Sequence, residues 1–189
     1  MKKVRHFLAV LTVAMLTASC GTSSTVPITG RKQNILVSDE QVLSLSNQQY
    51  QEYMKQAKAS QDATSTAMVK RCGERLASAV VSYLQQNGLA AEVSQYKWEF
   101  NLVQDKSVNA FCMPGGKIVV YEGLLPVTKD ESSLAIVLGH EIAHAVAKHS
   151  AERLSNEVRK QYGAQIIGGV LQGAGASANL QNISSAVFG

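Results

Sequence analysis

His140-Glu141-Ile142-Ala143-His144 is the segment of this chain whose residue types and spacing can do chemistry. Two histidines four apart on a helix project from one face, a turn apart, so both imidazoles can reach a single ion. Glu141 points to the flank, where its carboxylate can hold a water bound to that ion. Zinc lowers the pKa of its water to about 7, so a carboxylate can take the proton at neutral pH. The hydroxide so formed attacks a peptide carbonyl polarised by the metal, and Glu141 passes the proton to the leaving amine. The pattern points to zinc-dependent peptide hydrolysis, with His140 and His144 as ligands and Glu141 as general base.

The surroundings sharpen that reading. From Leu134 to Ala147 almost every other residue is apolar or small, and a helix apolar on all sides is a buried one. Two imidazoles and a carboxylate there are costly without a partner, and a metal ion supplies one. The competing reading is a pair of hydrogen-bonded core histidines. His149, five residues past His144, is expected to lie off the ligand face as a structural residue. A peptidase zinc also needs a third protein ligand. The histidine that metzincins carry six residues beyond the second ligand falls here at Ser150, which excludes that class. After His144 the acidic residues are Glu152 and Glu157; on the same or a continuing helix they aim along its axis, and neither is a good ligand. The sequence offers no third ligand.

Other elements must position this helix. Asp130 caps it, with Ser132 and Ser133 in its first turn, and it is expected to run through Glu152. Ser38-Asp39-Glu40 opens a helix through about Lys58 that buries Val42, Leu43, Leu45 and Tyr50. A second helix spans about Asp62 to Gln86, with Met68, Val69, Cys72, Leu76, Ala79, Val80, Tyr83 and Leu84 at three- and four-residue steps; Asn87-Gly88 stops it. Tyr96–Val103 alternates as a strand, with Trp98, Phe100 and Leu102 on one face. Lys117–Tyr121 is a β-branched strand between Pro114-Gly115-Gly116 and Gly123. Gly163–Gly189 is rich in small and polar residues around an apolar patch at Ile166, Ile167, Val170 and Leu171. It is too short and too polar to span a membrane.

Two motifs at this separation carry a resemblance. Asn109-Ala110-Phe111-Cys112-Met113-Pro114-Gly115-Gly116, continuing through Lys117–Tyr121 to Glu122-Gly123-Leu124-Leu125, resembles the edge-strand motif of the HtpX-, BepA- and Oma-like zinc endopeptidases. Leu134–Ser150 is similar to the active-site helix of that family. Val26-Pro27-Ile28-Thr29-Gly30-Arg31-Lys32 resembles the start of its bacterial lipoprotein members. The resemblance implies an α+β gluzincin fold, mostly helical, with a small sheet whose edge strand flanks the active-site helix. It also implies Zn2+ as cofactor, with a third ligand from a glutamate in an E-x-x-x-D helix that begins roughly sixty residues after the second histidine. That position lies beyond Gly189, so the domain over 38–189 is expected to be truncated at its C-terminus. The strand Ile118, Val119 and Val120 is expected to hold an extended substrate by backbone pairing, which suits broad specificity.

The N-terminus reads as a targeting leader. Met1–His6 is positively charged, Phe7–Leu16 is an apolar core of signal-peptide length, and Thr17-Ala18-Ser19 places small residues before Cys20. This predicts a lipoprotein leader over 1–19 and acylation at Cys20, although Thr17 stands where leucine is usual; a plain signal peptide or an uncleaved anchor are the alternatives. Residues 20–37, rich in Ser, Thr and Gly, read as a lipidated tether. Beside Gly21 no aspartate suggests inner-membrane retention, so the expected location is the outer membrane, facing the periplasm. Of 18 basic residues Lys2, Lys3 and Arg5 fall in the leader, leaving 15 against 14 acidic, a net of +1. No basic stripe remains, and nucleic acid is excluded as a partner. Cys72 and Cys112 can bridge in an oxidising compartment or stay buried thiols. The expected function is an envelope zinc endopeptidase acting on misfolded proteins. The alternative is a catalytically inactive lipoprotein that binds or chaperones.

Overall fold

A computed structural model describes residues 22–27, 29–162 and 187. The leader, Cys20 and the apolar patch at Ile166–Leu171 lie outside the described residues. In chain order the elements are β1 (Thr22–Thr25), β2 (Lys32–Ile35), α1 (Asp39–Gln56), α2 (Ala63–Gln86) and a 3-10 segment at Ala90–Gln95. There follow β3 (Glu99–Val103), β4 (Ala110–Met113), β5 (Lys117–Tyr121), the one-turn α3 (Leu125–Thr128), α4 (Glu131–Val146) and α5 (His149–Tyr162). The described part is mostly helical with two small sheets, in accord with the α+β expectation.

Helix starts follow their caps. Ser38 accepts from the Gln41 amide while the Gln41 side chain returns to the Ser38 amide, a complete capping box; Asp62 accepts from Ser65 and Asp130 from Ser133. The central sheet has the order β3-β5-β4, parallel between β3 and β5 and antiparallel between β4 and β5. Alternation sorts the side chains to two faces. Phe100, Leu102, Ile118 and Val120 pack with Val69 and Leu84 of α2 and Leu134, Leu138 and Ile142 of α4. Val103, Met113 and Val119 face Tyr50 and Tyr53 of α1. The sheet is thus a layer between α1 and the α2–α4 pair. The turn into β5 holds Gly115 at φ +85° and Gly116 at φ +82°, a region costly for residues with a Cβ. A Cβ on Gly116 would also come within 2.6 Å of the Trp98 ring.

Three expectations fail. The segment 20–37 is no tether where it is described: β1 and β2 pair as a hairpin, and Val26, Gln33, Ile35 and Val37 are buried. The hairpin is held to α5 because Ile35 and Val37 pack on Ala151, Leu154 and Val158. Polar contacts also hold it: the Ser155 hydroxyl accepts from the Leu36 amide at 2.9 Å, and Arg159 donates to the Asn34 carbonyl at 2.8 Å. Composition alone does not distinguish a polar hairpin from a linker. The helix that carries the two histidines, in turn, does not continue to Glu152. It stops at Val146, turns through Lys148 at φ +54°, and α5 begins at His149. Nor is α4 buried all round. Ile136 is 76% exposed, and it shares an exposed stripe with Ser132, His140 and Ala143. Cys72 and Cys112 are free thiols. Among the described residues no helix is long and apolar enough to cross a membrane.

Candidate active site

The stripe of α4 that escapes burial carries the two histidines. Leu134, Leu138, Ile142 and Ala145 turn inward and anchor the helix to the core, so residues 140 and 144 are left toward a cleft. His140 is exposed and His144 half-buried. Their Nε2 atoms face each other at 3.0 Å, with the rings nearly perpendicular at 83°. Two nitrogens at Zn–N distances of about 2.0–2.1 Å on a tetrahedral ion stand roughly 3.3 Å apart. The separation therefore fits two ligands of one ion with almost no movement. Among the described residues no group of three or more His, Cys, Asp or Glu side chains is arranged to hold an ion.

Glu141 and His144 line a cleft of about 510 Å³, walled by Phe111, Cys112 and Met113 of β4 and by His149, Glu152 and Arg153 of α5. Burial, followed by the charge of Glu141, pushes the Cys112 thiol far up, so it is a neutral wall residue. At the rim Arg31 donates twice to the Glu152 carboxylate, at 2.7 and 2.6 Å. That pairing holds Glu152 below the usual carboxylate range.

The expectation for Ile118, Val119 and Val120 is corrected by the ladder. Strand β5 is the middle strand, paired to β3 on one side and β4 on the other, and all three residues are fully buried at 0% exposure. It has no free edge for a substrate. The strand beside α4 is β4, which has a ladder partner on one side only among the described residues. The Tyr121 amide donates to the Asn109 carbonyl, so by antiparallel alternation Phe111 and Met113 turn their backbone groups toward β5. Ala110 and Cys112 turn theirs toward the cleft. The run Ala-Phe-Cys-Met is too short to announce a strand, and its alternation is weak.

His149 is also repositioned. Its Nδ1 lies 2.6 Å from His144 Nδ1, with ring centroids 4.8 Å apart. Burial, then the adjacent His144 and Arg31, lower its pKa below the ordinary imidazole value, while Glu152 pulls the other way. On one continuous helix five residues amount to about 140° of rotation, which put His149 off the face; the break at Lys148 brings it back. That turn is held by Lys148 itself, whose ammonium reaches Asp39 at 2.8 Å and Glu92 at 2.9 Å. Nothing in Ala147-Lys148-His149 advertises a left-handed residue, since neither glycine nor asparagine is present.

A helix presenting His-Glu-x-x-His to an open cleft, with an edge strand alongside, has the arrangement of a metallopeptidase centre. The chain belongs to peptidase family M48, whose profile matches residues 66–188. It is 52% identical over 63 residues to the mitochondrial metalloendopeptidase OMA1 of Schizosaccharomyces pombe, a match covering 33% of this chain and 19% of that protein. It is 34% identical over 134 residues to the mitochondrial metalloendopeptidase OMA1 of Bos taurus, covering 68% and 24%. A putative beta-barrel assembly-enhancing protease of Vibrio cholerae is 34% identical over 74 residues, covering 38% and 15%. The chain thus spans a quarter or less of the length of these relatives.

Proposed function

We propose that this chain carries the catalytic helix of a zinc-dependent metalloendopeptidase of the bacterial cell envelope. The observation that carries the reading is the pair of Nε2 atoms 3.0 Å apart on one exposed helical stripe, with Glu141 between them in sequence and a half-free strand across the cleft. His140 and His144 would hold the ion, which needs a third protein ligand besides them. When bound, zinc supplies an acidified water and a Lewis acid for the scissile carbonyl. Glu141 takes the proton of the attacking water and returns it to the departing amine. An extended peptide pairs with the backbone of Ala110 and Cys112 on β4, so recognition rests on main chain more than on side chains.

The substrates proposed are misfolded or misassembled envelope polypeptides, which expose extended backbone. Acylation at Cys20 fixes the protein at the outer membrane, facing the periplasm, with two or more acyl chains giving stable attachment. The N-terminal hairpin clasped to α5 keeps the chain from Cys20 to the catalytic domain short. A catalytically inactive lipoprotein that binds or chaperones is the competing reading.

The test compares wild type with Glu141→Gln in the complete protein, using casein cleavage and zinc content. The expected outcome is a loss of about 10²–10⁴ in kcat at unchanged zinc stoichiometry, the usual scale for a general base. Equal cleavage by the two proteins, or no zinc in wild type, overturns the peptidase reading. Cys20→Ser is expected to move the protein from the membrane to the soluble periplasmic fraction; unchanged partitioning overturns the lipid anchor.

A further inference from the structure

The contact between His144 and His149 asks more of the site than two ligands and a base. The two Nδ1 atoms are 2.6 Å apart, a separation that requires a hydrogen between them, because two facing lone pairs repel. A neutral imidazole carries one N–H. If His149 donates, His144 keeps its own hydrogen on Nε2, the atom that faces His140 at 3.0 Å. In that state His144 has no lone pair for a metal. If His144 donates from Nδ1, its Nε2 is bare and aimed at the ion's position.

We propose that His149 is a positioning residue. It accepts the Nδ1–H of His144 and so holds that ring in the one tautomer, and the one orientation, that can ligate. The inference rests on the metal-site reading above and deepens it. Ligating histidines nearly always donate their second nitrogen to a fixed acceptor; here the acceptor is another imidazole, delivered by a turn rather than by the same helix.

The acceptor is held in place by several separate parts of the chain. Lys148 at φ +54° reverses the backbone between α4 and α5. The Ala147 amide closes onto the Ala143 carbonyl at 2.9 Å and the Lys148 amide onto Ala145 at 3.0 Å. From the β-hairpin, Gln33 donates to the Ala147 carbonyl at 2.6 Å. From α1 and the 3-10 segment, Asp39 and Glu92 receive the Lys148 ammonium. A ring left to find its own rotamer would not need such a clamp, and a 2.6 Å contact leaves little room for error.

Two substitutions separate positioning from bulk. Asparagine places its side-chain oxygen about where the histidine Nδ1 sits, and leucine fills similar space with no acceptor. In the metal-free full chain, long-range ¹H–¹⁵N correlation of the histidine rings is expected to read His144 as protonated on Nδ1 in wild type and His149→Asn. Zinc affinity, measured by competition with a chromophoric chelator, is expected to fall about 10–100-fold in His149→Leu and to recover most of that loss in His149→Asn. Far-ultraviolet dichroism checks that both variants fold. Equal affinity in wild type and His149→Leu overturns the proposal, as do equal losses in both variants or an Nε2-protonated His144 in wild type. If wild type takes up no zinc, the metal reading fails, while the ring tautomer still tests the His149 contact on its own.

Discussion

At the scale of single residues, the groups that can do chemistry rely for their support on a side chain outside the site, whose ammonium reaches Asp39 and Glu92. His140, Glu141 and His144 stand out by type and spacing, and α4 presents them as that spacing requires. The support comes from Lys148, a residue that looks like ordinary surface charge. Burial pulls its ammonium down, but hydrogen bonds to Asp39 and Glu92 outweigh it, and its pKa ends up raised above 10.5. A raised folded-state pKa makes a contribution that is complete below the unfolded value and is lost as pH climbs through the folded one. Lys148→Met is therefore expected to cost about 1–2 kcal/mol at pH 7, as two charge-assisted bonds disappear. Wild type should then lose this advantage above about pH 10.5, so that the two urea-unfolding curves converge. A constant gap from pH 7 to 12 removes the linkage.

At the scale of elements, capping and alternation made most of the helices and strands readable. Ser38, Asp62 and Asp130 begin helices where side chains can accept from the backbone amides of the first turn. Trp98, Phe100 and Leu102 lie toward one core as their alternation implies. What the chain did not announce is decided by partners distant in sequence. The 22–35 hairpin is polar enough to pass for a linker until α5 is packed against it. The order β3-β5-β4 makes the most hydrophobic strand central and hands the exposed edge to the less obvious β4. That order gives a paired prediction. Proline is tolerated on an edge strand where the lost N–H faces outward, and breaks the ladder where it faces inward. Cys112→Pro is expected to leave the fold intact and to lower kcat/KM about 5–10-fold, the worth of one backbone bond to substrate. Phe111→Pro is expected to lower the melting temperature, because its amide serves β5. Thermal melts together with peptide cleavage rates distinguish them; the opposite assignment of the two effects would mean that β4 faces the cleft with the other set of backbone groups.

At the scale of the whole molecule, neighbouring elements are clipped together by ion pairs. Arg31 to Glu152 ties the hairpin to α5, Arg71 to Glu131 ties α2 to α4 at 2.5 Å, and Lys117 to Glu99 ties neighbouring strands β5 and β3. Each carboxylate is held below its ordinary value of 4.5, in each case first by the hydrogen bond from its cation. A depressed pKa contributes stability above the unfolded value, and that contribution is withdrawn as pH falls through the folded one. Exposed pairs are worth little singly, since solvent screens them. The Glu99 pair differs because Lys117 is 6% exposed and also donates to the Lys97 carbonyl at 2.8 Å, so its ammonium cannot turn to water when its partner is removed. Glu99→Gln is accordingly expected to cost about 1–3 kcal/mol at pH 7, more than Glu131→Gln or Glu152→Gln. The triple variant should show a flatter decline than wild type as pH is lowered from 5 to 3, read from urea midpoints at each pH. Parallel declines would assign acid sensitivity to other carboxylates and leave hydrophobic packing on both faces of the sheet as what holds the layers.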